Sequence, residues 1–553
     1  MDKEKFATQC LEHFRRVSEQ ALQEQRLFLC RILKKNEQTE LGKRYGFSQI
    51  RVLADYQKKV PVSEFSDYDQ IIERQIQGEE GLLFPEAPVF YCISSGSTGI
   101  PKYIPLCRED VEKQHIYEDG AVCAIIRESM PELSWQEIFG TVFETGEFFC
   151  TYMENGIMNG VRSGAYFRYA RESGLLDISG YSAPGEVLFP PVLEDMQYVK
   201  IRFALEQETL TGIHCVFPNR LAGILYFIEK HWDALLHDME CGTVSEEFMV
   251  KPEWKTYLQE KLLPNPERAK NLRKIQKTKL GNQMIRKIWP KLKYIRVIGG
   301  ELFQPYMKKI KEYAGEIPIH CFAYASSESI FGIGPYVNQP DQYVLLADMC
   351  FFEFLPEKEA DAVPMTFAEV ETGKKYELLI TTLSGLYRYR IGDVVEVTGF
   401  YGQAPIIRIC YRKNQILNLA DEKMDLSQFE SAMEQFQEEG CFQAKGYCVD
   451  GCYEDGRPFY RLYLETEEEL PQDAETRLDQ CLMKKSHGYE GARKIRELSK
   501  ARICMIPSGT FDAYEKWEKN RGRRMEQRKP LRTLMTEEQK KFFRNLNERM
   551  ERE

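Results

Sequence analysis

The chain has 553 residues, 43% of them apolar and 12% aromatic, too long for one hydrophobic core and typical of a folded protein of two or more domains. Its formal net charge of −10 argues against a general nucleic-acid binder, and no uninterrupted apolar run is long enough to cross a bilayer. The opening residues lack the apolar core of a secretory signal, and 16 cysteines scattered singly, the closest group (Cys441, Cys448 and Cys452) having neither C-x-x-C spacing nor nearby histidines, point to reduced thiols in a cytoplasmic protein.

Residues 3–35 carry Phe6, Cys10, Phe14, Val17 and Ala21 at helical spacing, which predicts one amphipathic helix with a packing role. A short apolar run from Val89 to Ile93 reads as a buried strand. It ends in Ser94, Ser95, Gly96, Ser97, Thr98 and Gly99, followed by Lys102. The glycines permit a tight backbone approach, and hydroxyls, backbone N–H groups and the lysine suit phosphate oxygens; a polar hairpin turn is the plain alternative. Residues 108–240 read as mainly helical, with Phe139, Phe143, Phe148 and Tyr166 available either to a core or to an acyl pocket. The basic stretch 265–293, including Arg268, Arg273 and Lys274, reads as a solvated helix face.

From Ile295 the pattern turns to short β-like runs. One starts at Arg296 and ends in glycines, Gly299 among them; the stretch 345–412 reads as more purely β. Alternation of strands and helices upstream gives an α/β layer architecture. Ala420–Leu426 is polar and turn-like, a linker before a smaller α/β domain. Two further clusters bear chemistry. Tyr324, Ala325, Ser326, Ser327 and Glu328 place a ring, two hydroxyls and a carboxylate at a strand end, suited to a purine and to Mg²⁺, or else to a helix N-cap. Tyr389–Asp393 ends in an aspartate after a glycine, suited to a ribose diol or to an ordinary β-turn.

In this order along one chain, the loop at Ser94–Lys102, Tyr324–Glu328 and Tyr389–Asp393 resembles the three motifs of the acyl acid–amido synthetases of the auxin-responsive-promoter family, a branch of the adenylate-forming superfamily. Trp289–Lys293, Phe352–Pro356, Val397–Phe400, Ser508–Phe511 and Gln527–Pro530 extend the likeness over nearly the whole chain. Two features depart from the plant pattern. The loop keeps the shorter spacing of the wider superfamily, and Arg528 stands where an aromatic residue is usual.

The resemblance implies an α/β fold in two parts. A large N-terminal adenylation domain over 1–415 would have mixed β-sheets, a β-barrel-like part and surrounding helices. A hinge over 416–426 would lead to a smaller mobile α/β domain over 427–553. It also implies a ligase that adenylates a carboxylic acid with ATP and Mg²⁺ and transfers the acyl group to an amino acid. Lys529 and Lys102 would be catalytic, Glu328 would hold Mg²⁺, and Ser94–Gly99, Gly299, Tyr324–Ser327 and Asp393 would hold the nucleotide. The expected partners are small-molecule substrates, with no nucleic acid, membrane or protein partner. A coenzyme A ligase and a non-catalytic nucleotide-binding protein are the alternatives.

Overall fold

The structure, a computed structural model, describes residues 2–94, 102–146, 148–191, 196–275, 280–300, 303–357, 362–413, 415–520, 531–534 and 536–550. Two compact units emerge: 2–94 with 102–413, and the residues from 415 onward. The loop positions Ser95–Gly99 and the candidate lysine Lys529 lie outside the described residues.

The larger unit holds three sheets. In the first, β1 (Phe90–Ser94) forms an antiparallel hairpin with β2 (Lys102–Leu106), in register so that Ser94 faces Lys102. The parallel β3 (Val142–Glu144) opens a second sheet. The small strands β4 (Cys150–Tyr152) and β5 (Met158–Gly160) complete the first. In the second, β6 (Gly212–His214), β7 (Tyr294–Val297) and β8 (Ile319–Cys321) follow β3 in the order β3-β6-β7-β8, all parallel and linked through helices. Parallel pairing needs long crossovers, which is why these strands are so far apart in the chain.

The part expected to be barrel-like is a seven-stranded antiparallel sheet. Its members are β9 (Ala323–Ala325), β10 (Ile330–Ile333), β11 (Tyr343–Leu345), β12 (Cys350–Pro356), β13 (Lys375–Thr382), β14 (Tyr389–Tyr401) and β15 (Ala404–Arg412), in the order β12-β13-β14-β15-β11-β10-β9. Phe352, Phe354, Leu378, Val395 and Ile407 are fully or nearly fully buried and join the one continuous core of this unit.

The smaller unit opens with a ribbon of β16 (Gln415–Leu417) and β17 (Met424–Asp425). Its main sheet is the hairpin of β18 (Gly446–Glu454) and β19 (Arg457–Glu465), with β20 (Arg502–Met505) parallel to β19. Helices Leu426–Gly440 and Ala474–Lys485 cover it through Phe429, Phe436, Leu478 and Leu482. Asp450, fully buried on β18, pairs with Lys540 and Arg544 and so ties the last helix to the sheet.

Four sequence expectations change. Residues 3–35 are two helices, Lys3–Glu19 and Ala21–Lys35, parted at Gln20. The second is held by the Gln25 amide, which donates to the carbonyls of Ala347 and Cys350 and accepts from Phe352 N–H. Residues 108–240 contain strands β3 to β6 besides helices, because the parallel sheet draws β3 and β6 from this region and the first sheet draws β4 and β5. Arg268 is buried, donating to the carbonyls of Leu205 and Ile288 and to Glu208, so that stretch is not uniformly solvated. The hinge expected over 416–426, of which Ala420–Leu426 is read as polar and turn-like, packs Leu417, Ala420 and Met424 into the small unit's core. Its polar character comes from Glu422, fully buried, which accepts from the N–H groups of Leu419 and Ala420 and from the Tyr460 hydroxyl.

Candidate active site

Tyr324 lies on β9 with its ring against Phe331 and Tyr343, centroids 5.0 and 6.1 Å away. The residues that follow make a turn into β10 rather than a helix: Ser326 N–H donates to the Ser329 carbonyl. Within the turn, Ser326 Oγ donates to the Glu328 carboxylate and accepts from the Glu328 N–H. Ala325 is exposed, Ser326 and Ser327 are half-buried, and Glu328 is buried at 4% exposure. The helix-cap alternative therefore fails, and the carboxylate is held by its own turn.

Asp393 sits on β14, one residue after Gly392, whose φ of +86° is a left-handed conformation that side chains rarely adopt. The Tyr324 hydroxyl donates to Asp393 Oδ2 at 2.7 Å. Two motifs 69 residues apart are thus joined by one hydrogen bond between buried side chains. A carboxylate has about four acceptor positions, of which the Tyr324 hydroxyl takes one.

Gly299, just past β7, donates its N–H to the Tyr343 hydroxyl at 2.6 Å. A Cβ there would fall 2.4 Å from Asp341 Oδ1 and 3.0 Å from the Asp341 backbone nitrogen, so a side chain at this position would displace that aspartate. The Gly300 N–H donates to the same aspartate. Gly299 thus lies beside the tyrosine that flanks Tyr324. Lys102 opens β2 opposite Ser94, with Nζ 5.1 Å from the centre of the Phe65 ring. These placements bring Gly299, Tyr324 and Asp393 together through direct bonds or ring contacts, and Glu328 through the turn that continues from Tyr324.

Sequence reading missed the supports. Arg388, just before the Tyr389–Asp393 motif, has φ +49°. Glu353 accepts from its guanidinium at 2.9 and 3.1 Å, and the Arg388 guanidinium also donates 2.8 Å bonds to the carbonyls of Gln57 and Val60. Glu377, 2% exposed, receives both Arg390 of the motif and Lys413 at the end of the unit, at 3.2 and 2.7 Å. Behind Glu328, Ser329 donates to Asp110, which pairs with the buried Arg162. No local pattern marks these partners, since each is remote in the chain.

Among the described residues no cluster of three His, Cys, Asp or Glu side chains is fit to hold a metal ion. A single buried carboxylate at Glu328 does fit an ion such as Mg²⁺, which keeps several waters and arrives on substrate phosphates.

Three family models match the chain in succession: the GH3 family N-terminal domain over 10–319, the central domain over 343–412 and the C-terminal domain over 427–538. A probable indole-3-acetic acid-amido synthetase of Arabidopsis thaliana is 28% identical over 414 residues, 73% of this chain and 69% of that protein. A jasmonoyl–L-amino acid synthetase of Oryza sativa subsp. japonica is 27% identical over 540 residues, covering 91% and 90%. The solved structure of GH3.15 acyl acid amido synthetase superposes with a TM-score of 0.65 at 23% identity, over 97% of this chain and 96% of that one, a likeness of fold. Domain models that follow one another across most of the length place this chain in the GH3 family.

Proposed function

We propose that this chain is an ATP-dependent ligase that converts a carboxylic acid to its acyl adenylate, releasing pyrophosphate, and then passes the acyl group to the amine of an amino acid. The observation that carries the reading is the Tyr324–Asp393 hydrogen bond, which unites two nucleotide-type motifs in a chain of this family. The relatives named as amido synthetases support the second half-reaction.

A carboxylate is a poor acyl donor until a good leaving group replaces its oxygen, and AMP supplies one. The first step therefore needs positioning and neutralisation of the charge that builds on the α-phosphate and the departing pyrophosphate. In this proposal Asp393 accepts from the ribose hydroxyls, Tyr324 orients that carboxylate and lines the base site, and Gly299 lets the backbone approach the nucleotide. Ser94–Gly99 donate to phosphate oxygens, with Lys102 adding positive charge beside them. Glu328 holds Mg²⁺, whose chemistry is to neutralise phosphate charge. Lys529 approaches the α-phosphate when the smaller unit turns toward the larger. We place the pivot just beyond Lys413, where the larger unit ends, because Glu377 anchors Lys413 on one side and Leu417, Ala420 and Met424 pack in the small unit's core on the other.

The test is incubation with ATP, a panel of carboxylic acids, and either amino acids or coenzyme A. Acid-dependent pyrophosphate release followed by amide formation is the expected result. A thioester with coenzyme A in place of the amide would reassign the second step, and nucleotide binding without pyrophosphate release would make the chain a binding protein.

A further inference from the structure

The parallel sheet carries an unusual row. Glu144, His214, Arg296 and His320 are partners in register on β3, β6, β7 and β8, so their side chains share one face. Buried parallel sheets are normally lined by apolar side chains, yet Glu144, Arg296 and His320 are each less than a tenth exposed. Glu144 and His214 are the last residues of their strands, and ligands of open α/β sheets bind outside the carboxyl ends of strands. The same strands run directly into the nucleotide residues: Arg296 stands three positions before Gly299, and His320 four before Tyr324.

Hydrogen bonding at this end is incomplete. Thr145 Oγ1, Ser182 Oγ, both amide atoms of Asn219 and Arg296 Nε have no hydrogen-bond partner among the described residues, and all four residues are at least nine-tenths buried. Thr145 directly follows β3 and Asn219 lies in the first turn of the helix after β6, both at the carboxyl ends of their strands; Ser182 flanks β3, its N–H on the carbonyl of Val142, the first residue of that strand, and Arg296 is on β7. Folded proteins leave few such atoms unpaired, so several on and beside these strands signal a polar occupant.

Cations and carboxylates are interleaved here: Lys200, Arg220 and Arg296 bear on Glu144, and Arg296 and Arg162 bear on Glu118. Burial pushes Glu144 up to about 7, against the pull of the Gly146 N–H and its three cations, and burial beside Arg296 keeps His214 neutral. The unpaired atoms comprise both donors and acceptors, a set that hydroxyl groups satisfy.

We propose that this polar edge receives the acyl part of the acid substrate and selects carboxylic acids bearing hydroxyl groups over alkyl or aryl acids without them. The inference rests on the ligase reading above. It is tested by ATP–pyrophosphate exchange with size-matched pairs, such as phenylacetate against 3,4-dihydroxyphenylacetate and hexanoate against gluconate. The wild-type chain is compared with Thr145→Val, Ser182→Ala and Asn219→Leu. The hydroxylated member is expected to lead in kcat/KM by about a hundredfold or more, as sites built to pair a hydroxyl do. Each variant is expected to narrow that ratio mainly through the KM for the acid, with Tm unchanged or raised, because an unpaired buried polar group has been removed. Preference for the plain acids, or variants that lower Tm and leave the ratio intact, would overturn the proposal. Should no acid support exchange, the ligase reading fails. The thermal shift caused by the hydroxylated acids alone then judges this site: a shift abolished in Asn219→Leu upholds it, and no shift overturns it.

Discussion

Asp393 and Tyr324 illustrate how much one bond can decide. Removing a charged acceptor costs about 1.5–3 kcal/mol, so Asp393→Ala should weaken ATP binding roughly ten- to a hundredfold. Tyr324→Phe keeps the ring packed on Phe331 and Tyr343 and removes only the hydroxyl, so a smaller loss is expected. Titration calorimetry with ATP measures both, and near-normal affinity in Asp393→Ala would remove the aspartate from the ribose. Glu328→Gln should preserve the fold, since its turn is closed by Ser326 and Ser329 backbone groups, while raising the Mg²⁺ concentration needed for pyrophosphate release. An unchanged Mg²⁺ titration would reduce Glu328 to a turn residue. Two buried carboxylates should respond to pH in opposite directions. Glu144, pushed to about 7 by burial, is protonated more readily in the folded chain; its contribution is full below the ordinary glutamate range and is lost as pH rises through about 7. For Asp348, burial is outweighed by His13, Lys113 and the Tyr117 hydroxyl, which depress its pKa. Its contribution is present above the ordinary aspartate range and is lost as pH falls through the depressed value. Thermal melts across pH 5 to 8 should therefore flatten in Glu144→Gln, whereas Asp348→Asn should change the melts mainly below about pH 4.

At the scale of elements, β14 is the part whose placement matters most. Its first residues form the Tyr389–Asp393 motif, and its register is held from outside by Arg388–Glu353 and by Glu377 on β13. Glu377→Gln would leave Arg390 and Lys413 facing a neutral amide. Breaking a fully buried pair costs about 3–5 kcal/mol, but both cations are about one-third exposed, 31% and 33%, so the loss should fall below that range. Urea unfolding should report this decrease, and the KM for ATP should rise because Asp393 is three residues beyond Arg390 on the same strand. Lost stability with an unaltered KM would mean that Glu377 supports the sheet without bearing on the nucleotide motif.

For the whole molecule, the two compact units define the remaining prediction. If closure of the smaller unit delivers Lys529 for the first half-reaction only, Lys529→Ala should slow pyrophosphate release strongly while sparing amide formation from a supplied acyl adenylate. Arg528→Ala is the control for general basicity and should have the smaller effect. Both steps measured in both variants decide it, and an equal loss of the two in Lys529→Ala would make the lysine structural. The proposed pivot is short because the segment after it is ordered by apolar packing and by Glu422, leaving little chain to absorb the rotation.

The sequence by itself determined the three motifs, their order, the α/β class and the division into a larger and a smaller part. Glycine next to hydroxyls, an aromatic before a carboxylate, and apolar runs broken by turns are local patterns, and local chemistry can be read without a fold. Tertiary structure decided which side chains meet. Tyr324 and Asp393 are joined although β9 and β14 stand four places apart in the seven-stranded sheet, because the sheet curves enough to bring the two side chains into one hydrogen bond. Arg268 is buried because the carbonyls of Leu205 and Ile288 converge on its guanidinium, and Glu422 is buried because Tyr460 and two backbone N–H groups satisfy its carboxylate. Composition marks such residues as polar; whether a polar group faces water or a partner depends on hydrogen bonds from distant parts of the chain, and those exist only once the strands have paired.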